Sequence, residues 1–266
     1  METTPDFFSQ GLENLDAGFF SRTPRLLSLD FDGTLAPIAP TPSSVRLPVK
    51  SREILWALSL LPETKVAILS GRSLPDLRER VGVSGLVLAG NHGLDFSPLA
   101  AGWSISEFSG WTRQVSQVRS RLEPLLRHWP GAILEAKGPD LSLHYRLMEP
   151  ARAERLIPQA LGALEGLPVV SRRGKCVLEI RPEGAPGKGE ALVRMANRYL
   201  GRKKGWCCVH VGDDDTDEEA FSALRRMGGG GLGLKVGEGP TLAHYRLAGL
   251  SEVHRFLNLF LDKNGV

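Results

Sequence analysis

The stretch LLSLDFDGTL at residues 26–35 decides the fold class of this chain. Its first four residues are almost all apolar, and Asp30, Phe31, Asp32 and Gly33 follow at once. A short run that is apolar on both faces is typical of a strand buried in a parallel sheet. Gly33 permits a sharp turn after this strand, so both carboxylates can face one ligand.

Three further segments repeat this pattern of an apolar run followed by polar residues. They are residues 66–69 before Ser70-Gly71-Arg72, residues 86–89 before GNHG (90–93), and residues 207–211 before GDDDTDE (212–218). The intervening segments 51–61, 74–81 and 190–200 have the apolar spacing of helices. Strands that alternate with helices predict an α/β fold with a Rossmann-like parallel sheet.

The middle of the chain breaks this alternation. The patterns predict, in order, a helix over 111–129, strands over 133–137 and 141–147, a helix over 151–164, and strands over 169–171 and 175–180. This order is typical of a small α+β layer with its helices on one face of an antiparallel sheet. We therefore expect a core domain made of residues 1–107 and 182–266, with an α+β cap domain inserted at 108–181. The first 22 residues match no motif and are predicted to pack on the core as an arm or helix.

Composition excludes several classes of function. The net charge is +3, from 33 basic and 30 acidic residues, and basic clusters such as residues 202–204 are short, so we expect no nucleic-acid partner. No apolar run approaches the roughly 18 residues of a membrane span, and the first residues do not resemble a secretory signal. We expect a cytoplasmic monomer that does not bind membranes. Cys176, Cys207 and Cys208 lack the spacing of a disulfide framework or a zinc site, and are predicted to be buried thiols.

The polar segments all follow strands, and ligands of open α/β sheets bind beyond the carboxyl ends of the strands. Asp30 and Asp32 have the chemistry of a nucleophile that attacks phosphorus and of a carboxyl that transfers the proton. The alternative interpretation is a turn rich in Asp and Gly. Ser70 could donate a hydrogen bond to a phosphoryl oxygen, and Lys188 could neutralise the same group. The alternatives for these two residues are a helix cap and a surface lysine.

The acidic segment at residues 213–218 carries five carboxylates within six residues. A hard divalent cation such as Mg²⁺ would relieve their mutual repulsion, because it prefers carboxylate oxygens and water. The alternative is helix capping, since Asp and Thr are favoured in the first turn of a helix. The number of acidic residues favours a metal site.

Together the motifs resemble the trehalose-6-phosphate phosphatase family of the haloacid dehalogenase superfamily. They occur in the family's order: DFDGTLAPI (30–38), SGR (70–72), GNHG (90–93), LHYR (143–146), EIRP (179–182) and GDDDTDEEAF (212–221). The resemblance implies a Mg²⁺-dependent phosphatase that hydrolyses trehalose 6-phosphate, a small sugar phosphate, through an aspartyl-phosphate.

The resemblance also implies roles for individual residues. Asp30 would attack the phosphorus, and Asp32 would protonate the leaving sugar oxygen and then activate water. Ser70 and Lys188 would hold the phosphoryl oxygens. The implied metal-binding residues are Asp30, Asp32 through its backbone carbonyl, Asp213, Asp214 and Asp217.

The predicted substrate-binding residues lie mostly in the inserted segment. They are Gly33, Arg72, Glu135, Lys137, His144, Arg146, Glu179 and Arg181. In the family, the residues that match Glu135, Lys137 and Glu179 bind the distal sugar hydroxyls. The alternative is an exposed sheet face that carries salt bridges. His92 is predicted to be a structural histidine.

Three other functions remain open from the sequence. The first is a phosphatase for another sugar phosphate, such as sucrose phosphate or a mannosyl-phosphoglycerate. The second is a phosphosugar-binding protein without catalysis, against which Asp30, Asp32 and the acidic segment argue. The third is a Mg²⁺-dependent phosphosugar mutase, which spacing alone does not distinguish.

Overall fold

The computed structural model of the chain describes residues 4–11, 15, 18–39, 41–97, 111–137, 140–174, 176–201 and 204–264. Contacts divide the chain into two compact units. The first, the core unit, comprises Met1–Ala100 and Pro186–Val266. The second, the inserted unit, comprises Ala101–Ala185.

A seven-stranded sheet forms the centre of the core unit. Its strands, numbered along the chain, are β1 (Arg25–Leu29), β2 (Thr64–Leu69), β3 (Val87–Gly90), β4 (Asp95–Ser97), β9 (Cys207–Gly212), β10 (Gly231–Val236) and β11 (Tyr245–Leu247). The spatial order is β11-β10-β9-β1-β2-β3-β4, and all neighbours are parallel except β3 and β4. Every residue of β1 and of β9 is buried, as the apolar runs predict. The parallel α/β fold is therefore confirmed.

Helices surround this sheet where the apolar spacing changes. They are α1 (Val49–Ser59), α2 (Leu74–Val81), α5 (Lys188–Tyr199), α6 (Asp217–Met227) and α7 (Leu250–Asp262). Helices α1, α2 and α5 match the helices predicted at 51–61, 74–81 and 190–200. The predictions did not include α7, nor the three-residue strands β4 and β11, which are too short to show a repeating pattern.

The N-terminal segment packs on the core through aromatic side chains. Phe7, in the helical turn Phe7–Gly11, is fully buried, and its ring centroid lies 5.3 Å from that of Phe256 in α7. The ring centroid of Phe20 lies 6.1 Å from that of Phe260. For the described part of residues 1–22, the predicted arm is therefore confirmed.

The inserted unit is an α+β layer. Its elements are α3 (Trp111–Leu126), β5 (Ile133–Lys137), β6 (Asp140–His144), α4 (Pro150–Leu164), β7 (Val169–Gly174) and β8 (Val177–Pro182). The four strands pair antiparallel in the order β5-β6-β8-β7. One hydrophobic cluster joins Val118 and Leu122 of α3 and Leu156 of α4 to Leu143 and Leu178 of the sheet. The helices thus share one face of the sheet, as predicted.

The structure corrects several local predictions in this unit. Helix α3 ends at Leu126 rather than at residue 129, β7 continues to Gly174 rather than ending at residue 171, and β8 spans Val177–Pro182 rather than 175–180. Strand β6 ends at His144 rather than at residue 147, because Tyr145 begins a turn in which its carbonyl accepts the Met148 N–H. Cys176 is exposed in the turn between β7 and β8, where its φ is 63°. Its predicted burial is therefore wrong, whereas Cys207 and Cys208 are buried in β9.

Several predicted features fall outside the described residues. They are Gly138 and Pro139, which lie between the strands predicted over 133–137 and 141–147, the strand residue Lys175, and two residues of the basic cluster at 202–204. Among the helices that the structure describes, none has both the length and the apolar character needed to cross a membrane.

Candidate active site

The sheet order brings the four predicted polar segments together. Strands β9, β1, β2 and β3 are consecutive neighbours and run parallel. The segments that follow them therefore lie along one continuous stretch of the sheet's carboxyl edge. Lys188, the first residue of α5, reaches the same place. This edge is where open α/β sheets bind their ligands.

Lys188 is the buried cation of this site. Its side chain is 1% exposed, so the alternative of a surface lysine is wrong. The Nζ atom donates to Asp30 Oδ1 at 2.8 Å and to Asp217 Oδ1 at 2.7 Å. Burial alone would lower the pKa of Lys188, but the carboxylates of Asp217 and Asp30 outweigh it and hold that pKa well above its usual value. The neighbouring carboxylates therefore favour the charged ammonium form.

For Asp30 and Asp213, burial and neighbouring negative charges affect the pKa more than the nearby lysines do. Burial, together with the nearby carboxylates, raises the pKa of Asp30 well above its usual value, although Lys188 opposes the shift. Burial and the charges of Asp217 and Asp214 raise the pKa of Asp213 to about 7. Carboxylates thus outnumber cations here, and a bound divalent cation would offset the excess of negative charge.

Asp217 is tied to the protein by both oxygens. Its Oδ1 accepts from Lys188 and from His210 Nε2, and its Oδ2 accepts the backbone N–H groups of Asp213 and Asp214 at 3.1 Å. Burial would raise the pKa of Asp217, but Lys188 and His210 hold it far below its usual value. Asp217 is therefore ionised and fixes the acidic loop.

The Asp214 carboxylate accepts hydrogen bonds from the residues at the start of helix α6. Its Oδ1 accepts from the backbone N–H of Thr216 at 2.8 Å, from the Thr216 hydroxyl at 2.6 Å and from the backbone N–H of Asp217 at 3.2 Å. Asp214 is not the N-cap residue, which is Thr216, but it accepts backbone N–H groups at the start of the helix, close to the capping role given as the alternative interpretation of the acidic segment.

Three carboxylates of the site lie close enough together to hold a hard metal ion. Asp30, Asp213 and Asp217 can each offer an oxygen, and these atoms lie within 4.8 Å of one another. Because both Asp217 oxygens are already hydrogen-bonded, Asp30 and Asp213 are the better ligands. Gly33 has a φ of +82°, and a Cβ built there would lie 2.0 Å from Asp213 Oδ2. The turn after Asp32 therefore approaches the Asp213 carboxylate as only glycine allows.

Arg72, a predicted substrate-binding residue, binds carboxylates of the protein itself. Its Nε and Nη2 each donate to one oxygen of Asp32 at 2.6 Å, and its Nη1 donates to Asp76 at 2.7 Å. The guanidinium carbon also lies 5.4 Å from the centroid of the Phe31 ring. Its pKa is raised: burial would lower it, but the hydrogen bonds to Asp32 and Asp76 more than offset this effect. Arg72 therefore holds the side chain of Asp32.

Ser70 and His92 lie at the ends of β2 and β3. Ser70 is 1% exposed, and its Oγ accepts the Arg72 backbone N–H at 3.2 Å, which leaves the hydroxyl hydrogen as a donor. The His92 backbone N–H donates to the Ser70 carbonyl. The imidazole of His92 lies 2.8 Å from the position of a Cβ at Gly71. These contacts give His92 a packing role, as expected for a structural histidine.

Sequence reasoning missed two residues that shape the site. Lys235 of β10 is buried, and its Nζ donates to the carbonyls of Asp213 at 2.6 Å and of Asp214 at 3.3 Å. His210 of β9 is fully buried beside Asp217. Each is a polar residue near the carboxyl end of an otherwise apolar strand, and that signal could have identified both.

Four of the predicted binding residues of the inserted unit, namely Glu135, His144, Glu179 and Arg181, lie on one sheet face. Strand register aligns Glu135, Ser142, Glu179 and Arg172 in one row across the sheet. Side chains alternate along strands, so His144 and Arg181 share that face. Sequence reasoning did not identify Ser142 and Arg172.

Contacts link several of these side chains to one another. His144 Nε2 lies 2.7 Å from Glu135 Oε2, and Arg181 Nε donates to Asp140 Oδ1 at 3.4 Å. Lys137 belongs to β5, but its side chain is outside the described part of the structure. Arg146 follows the end of β6 and is exposed.

Comparisons with known proteins show which family the chain belongs to. The trehalose-phosphatase family model matches residues 28–250. The trehalose-6-phosphate phosphatase of Escherichia coli is 34% identical over 86% of this chain and 84% of its own length. A probable trehalose-phosphate phosphatase of rice (Oryza sativa subsp. japonica) is 33% identical to this chain. The alignment covers 87% of this chain and 64% of the rice protein. The C-terminal domain of Candida albicans trehalose-6-phosphate phosphatase aligns with a TM-score of 0.79 and 25% identity, covering 97% of this chain and 99% of that domain. The chain belongs to the trehalose-phosphatase family.

Proposed function

We propose that this protein hydrolyses trehalose 6-phosphate to trehalose and phosphate. The observation that carries the proposal is the position of Lys188, whose ammonium group is buried between Asp30 and Asp217 at the edge of the sheet. A buried ammonium beside a buried carboxylate suits a site that must accept a phosphate dianion next to an anionic nucleophile. The family match over residues 28–250 and the names of the relatives support trehalose 6-phosphate as the substrate.

Mg²⁺ is the proposed cofactor, and Asp30, Asp213 and the backbone carbonyl of Asp32 are its proposed ligands. When bound, it would neutralise phosphoryl charge next to the nucleophile. Asp214 and Asp217 support this site indirectly, since their oxygens bind the start of α6 and the acidic loop.

In the proposed mechanism Asp30 is the nucleophile. Lys188 holds its Oδ1, so its other oxygen attacks the phosphorus and forms an aspartyl-phosphate as the sugar oxygen leaves. Lys188 and the hydroxyl of Ser70 bind the phosphoryl oxygens. The intermediate then breaks when water attacks the phosphorus, which releases phosphate and regenerates the carboxylate.

Asp32 is the proposed acid and base. It protonates the leaving sugar oxygen and later takes a proton from the attacking water. Both of its oxygens accept from Arg72 in this structure. Because a carboxyl must carry a proton in order to donate one, this ion pair has to open during turnover. Arg72 is thus a positioning residue for Asp32 in this mechanism, rather than a direct contact to the sugar.

The polar face of the inserted unit is the proposed binding surface for the sugar. Glu135, Glu179 and Lys137 supply the acceptors and the donor that a hydroxyl-rich ligand needs. His144, Arg146 and Arg181 complete the proposed set in the inserted unit, and Gly33 is the proposed substrate-binding residue of the core unit. A cytoplasmic location is also part of the proposal.

The test is Mg²⁺-dependent phosphate release from trehalose 6-phosphate, sucrose 6-phosphate, glucose 6-phosphate and an aryl phosphate. We expect a strong preference for trehalose 6-phosphate, and no release by Asp30→Asn on any substrate. Preference for another sugar phosphate would contradict the proposed substrate but not the proposed phosphatase mechanism. Absence of release from the folded, Mg²⁺-loaded protein would contradict the phosphatase proposal itself.

A further inference from the structure

A chain of four buried hydrogen bonds leads from strand β1 to the proposed nucleophile. Ser28 of β1 contacts His210 of β9, His210 contacts Asp217 of α6, Asp217 contacts Lys188 of α5, and Lys188 contacts Asp30 just after β1. The donor–acceptor distances are 3.0, 2.9, 2.7 and 2.8 Å in that order. No member is more than 4% exposed. This chain of hydrogen bonds therefore ties two strands and two helices to the proposed nucleophile.

The chemistry of this hydrogen-bond chain determines which nitrogen of His210 carries a proton. An ionised carboxylate only accepts, so His210 must carry a hydrogen on Nε2 in order to bond to Asp217. The Nδ1 atom then faces the Ser28 hydroxyl, which can adjust its own hydrogen to suit. Ser28 is thus able to orient the imidazole from the side opposite Asp217.

The sheet is built to accept this imidazole. In the strand register Ser28 and Gly233 lie directly beside His210, one on each neighbouring strand. Both residues are small, and a Cβ added at Gly233 would lie 2.8 Å from the Phe221 ring, so the glycine makes room for the ring that packs on the imidazole. The Phe221 ring packs against the imidazole with its centroid 5.5 Å away. The side chain therefore has one defined position.

We infer that His210, oriented by Ser28, is a positioning residue for Lys188. A lysine ammonium sits on a flexible stem with three rotatable donors, so its partners decide where it points. One of those partners is Asp217 Oδ1, and His210 holds that same oxygen. The inference rests on the proposed function, in which Lys188 binds the phosphoryl oxygens beside Asp30.

The kinetic test compares two substitutions of His210. His210→Phe keeps a ring next to Phe221 and removes the donor to Asp217, whereas His210→Gln retains an amide N–H that can replace Nε2–H. We expect His210→Phe to lose about tenfold or more in kcat, because hydrogen bonds to charged groups are among the stronger ones. His210→Gln should keep most of the wild-type kcat. Ser28→Ala should lose less than His210→Phe.

The pattern across substrates separates positioning from damage to the fold. The loss in His210→Phe should be the same for trehalose 6-phosphate and for an aryl phosphate, because Lys188 contacts the part that both share. KM for the sugar phosphate should change little, and both His210 variants should remain folded at the assay temperature, which their thermal unfolding curves check. Wild-type kcat in His210→Phe, or an equal loss in His210→Gln, would overturn the inference.

An independent measurement does not require turnover. The chain has six histidines, and ¹⁵N-histidine NMR of the metal-free protein should show a protonated Nε2 whose hydrogen exchanges slowly with solvent. This resonance should be absent from His210→Phe. If the wild-type protein releases no phosphate but shows the resonance, the proposed function fails and the hydrogen bond to Asp217 is supported. If His210 lacks a proton on Nε2, the positioning role is overturned whatever the enzyme hydrolyses.

Discussion

Replacing Gly33 by alanine tests whether the turn after Asp32 must approach Asp213. Gly33 has a φ of +82°, and an added Cβ would lie 2.0 Å from Asp213 Oδ2. Ordinary van der Waals contacts of a Cβ begin at 3.4 Å, so the carboxylate would have to retreat by about 1.4 Å. The substitution therefore displaces a proposed metal ligand without removing it.

Two effects of this change can be separated by magnitude. The left-handed backbone alone costs an alanine roughly 1–2 kcal/mol of stability. A displacement of about 1 Å in a catalytic arrangement can cost on the order of a hundredfold in rate. We therefore expect Gly33→Ala to lose modest stability, about a hundredfold in kcat/KM, and much of its affinity for Mg²⁺.

Gly82→Ala is the matched control. Gly82 ends helix α2 with a φ of +57°, and a Cβ added there meets nothing within 4 Å. This variant should show the backbone strain, as a lower thermal midpoint, and keep the wild-type kcat/KM. Phosphate release and a Mg²⁺ titration should be measured for both variants. Wild-type activity and metal affinity in Gly33→Ala would refute the role given to this close approach.

Three further predictions concern metal binding, specificity and thiols. The pKa of Asp213 in the folded, metal-free protein is about 7, so the folded state favours the protonated carboxyl. The stability that this protonated form contributes to folding is present at low pH and is lost as pH rises through 7. Mg²⁺ should therefore raise the thermal midpoint more above pH 7 than below it, and Asp213→Asn should remove this difference. Glu179→Gln should impair hydrolysis of trehalose 6-phosphate at least tenfold more than hydrolysis of an aryl phosphate; equal losses would give Glu179 a structural role. A thiol reagent should modify Cys176 alone in the native protein, since Cys207 and Cys208 are buried and burial raises the pKa of Cys207 to about 12; more than one reactive thiol per native chain would contradict this burial.

Some features of the fold follow directly from local sequence patterns. The apolar runs before Asp30, Ser70 and Asp213 predict buried parallel strands, and the structure contains them. Helix α2 has the predicted bounds, because Pro75 lies in its first turn and Gly82 adopts the left-handed conformation at its end. These signals lie within a few residues of the elements that they specify, so they can be seen before the chain is folded.

The same holds for the candidate site as a set of segments. A polar segment after a buried parallel strand lies at the sheet's carboxyl edge whatever the strand order is. The sequence therefore predicts that Asp30, Ser70 and the acidic segment belong to one edge. It does not predict which side chains pair, because that depends on the order of the strands and on the depth of each residue.

Tertiary structure alone decided the pairings. Lys188 and Asp30 are 158 positions apart, and Arg72 and Asp32 are 40 apart. These pairs form because β1 lies between β9 and β2 and because α5 begins beside them. The exposure of Cys176 likewise depends on where β7 ends. Local periodicity specifies the elements, whereas the partners of a buried charge come from elsewhere in the chain and are determined only when the sheet has formed.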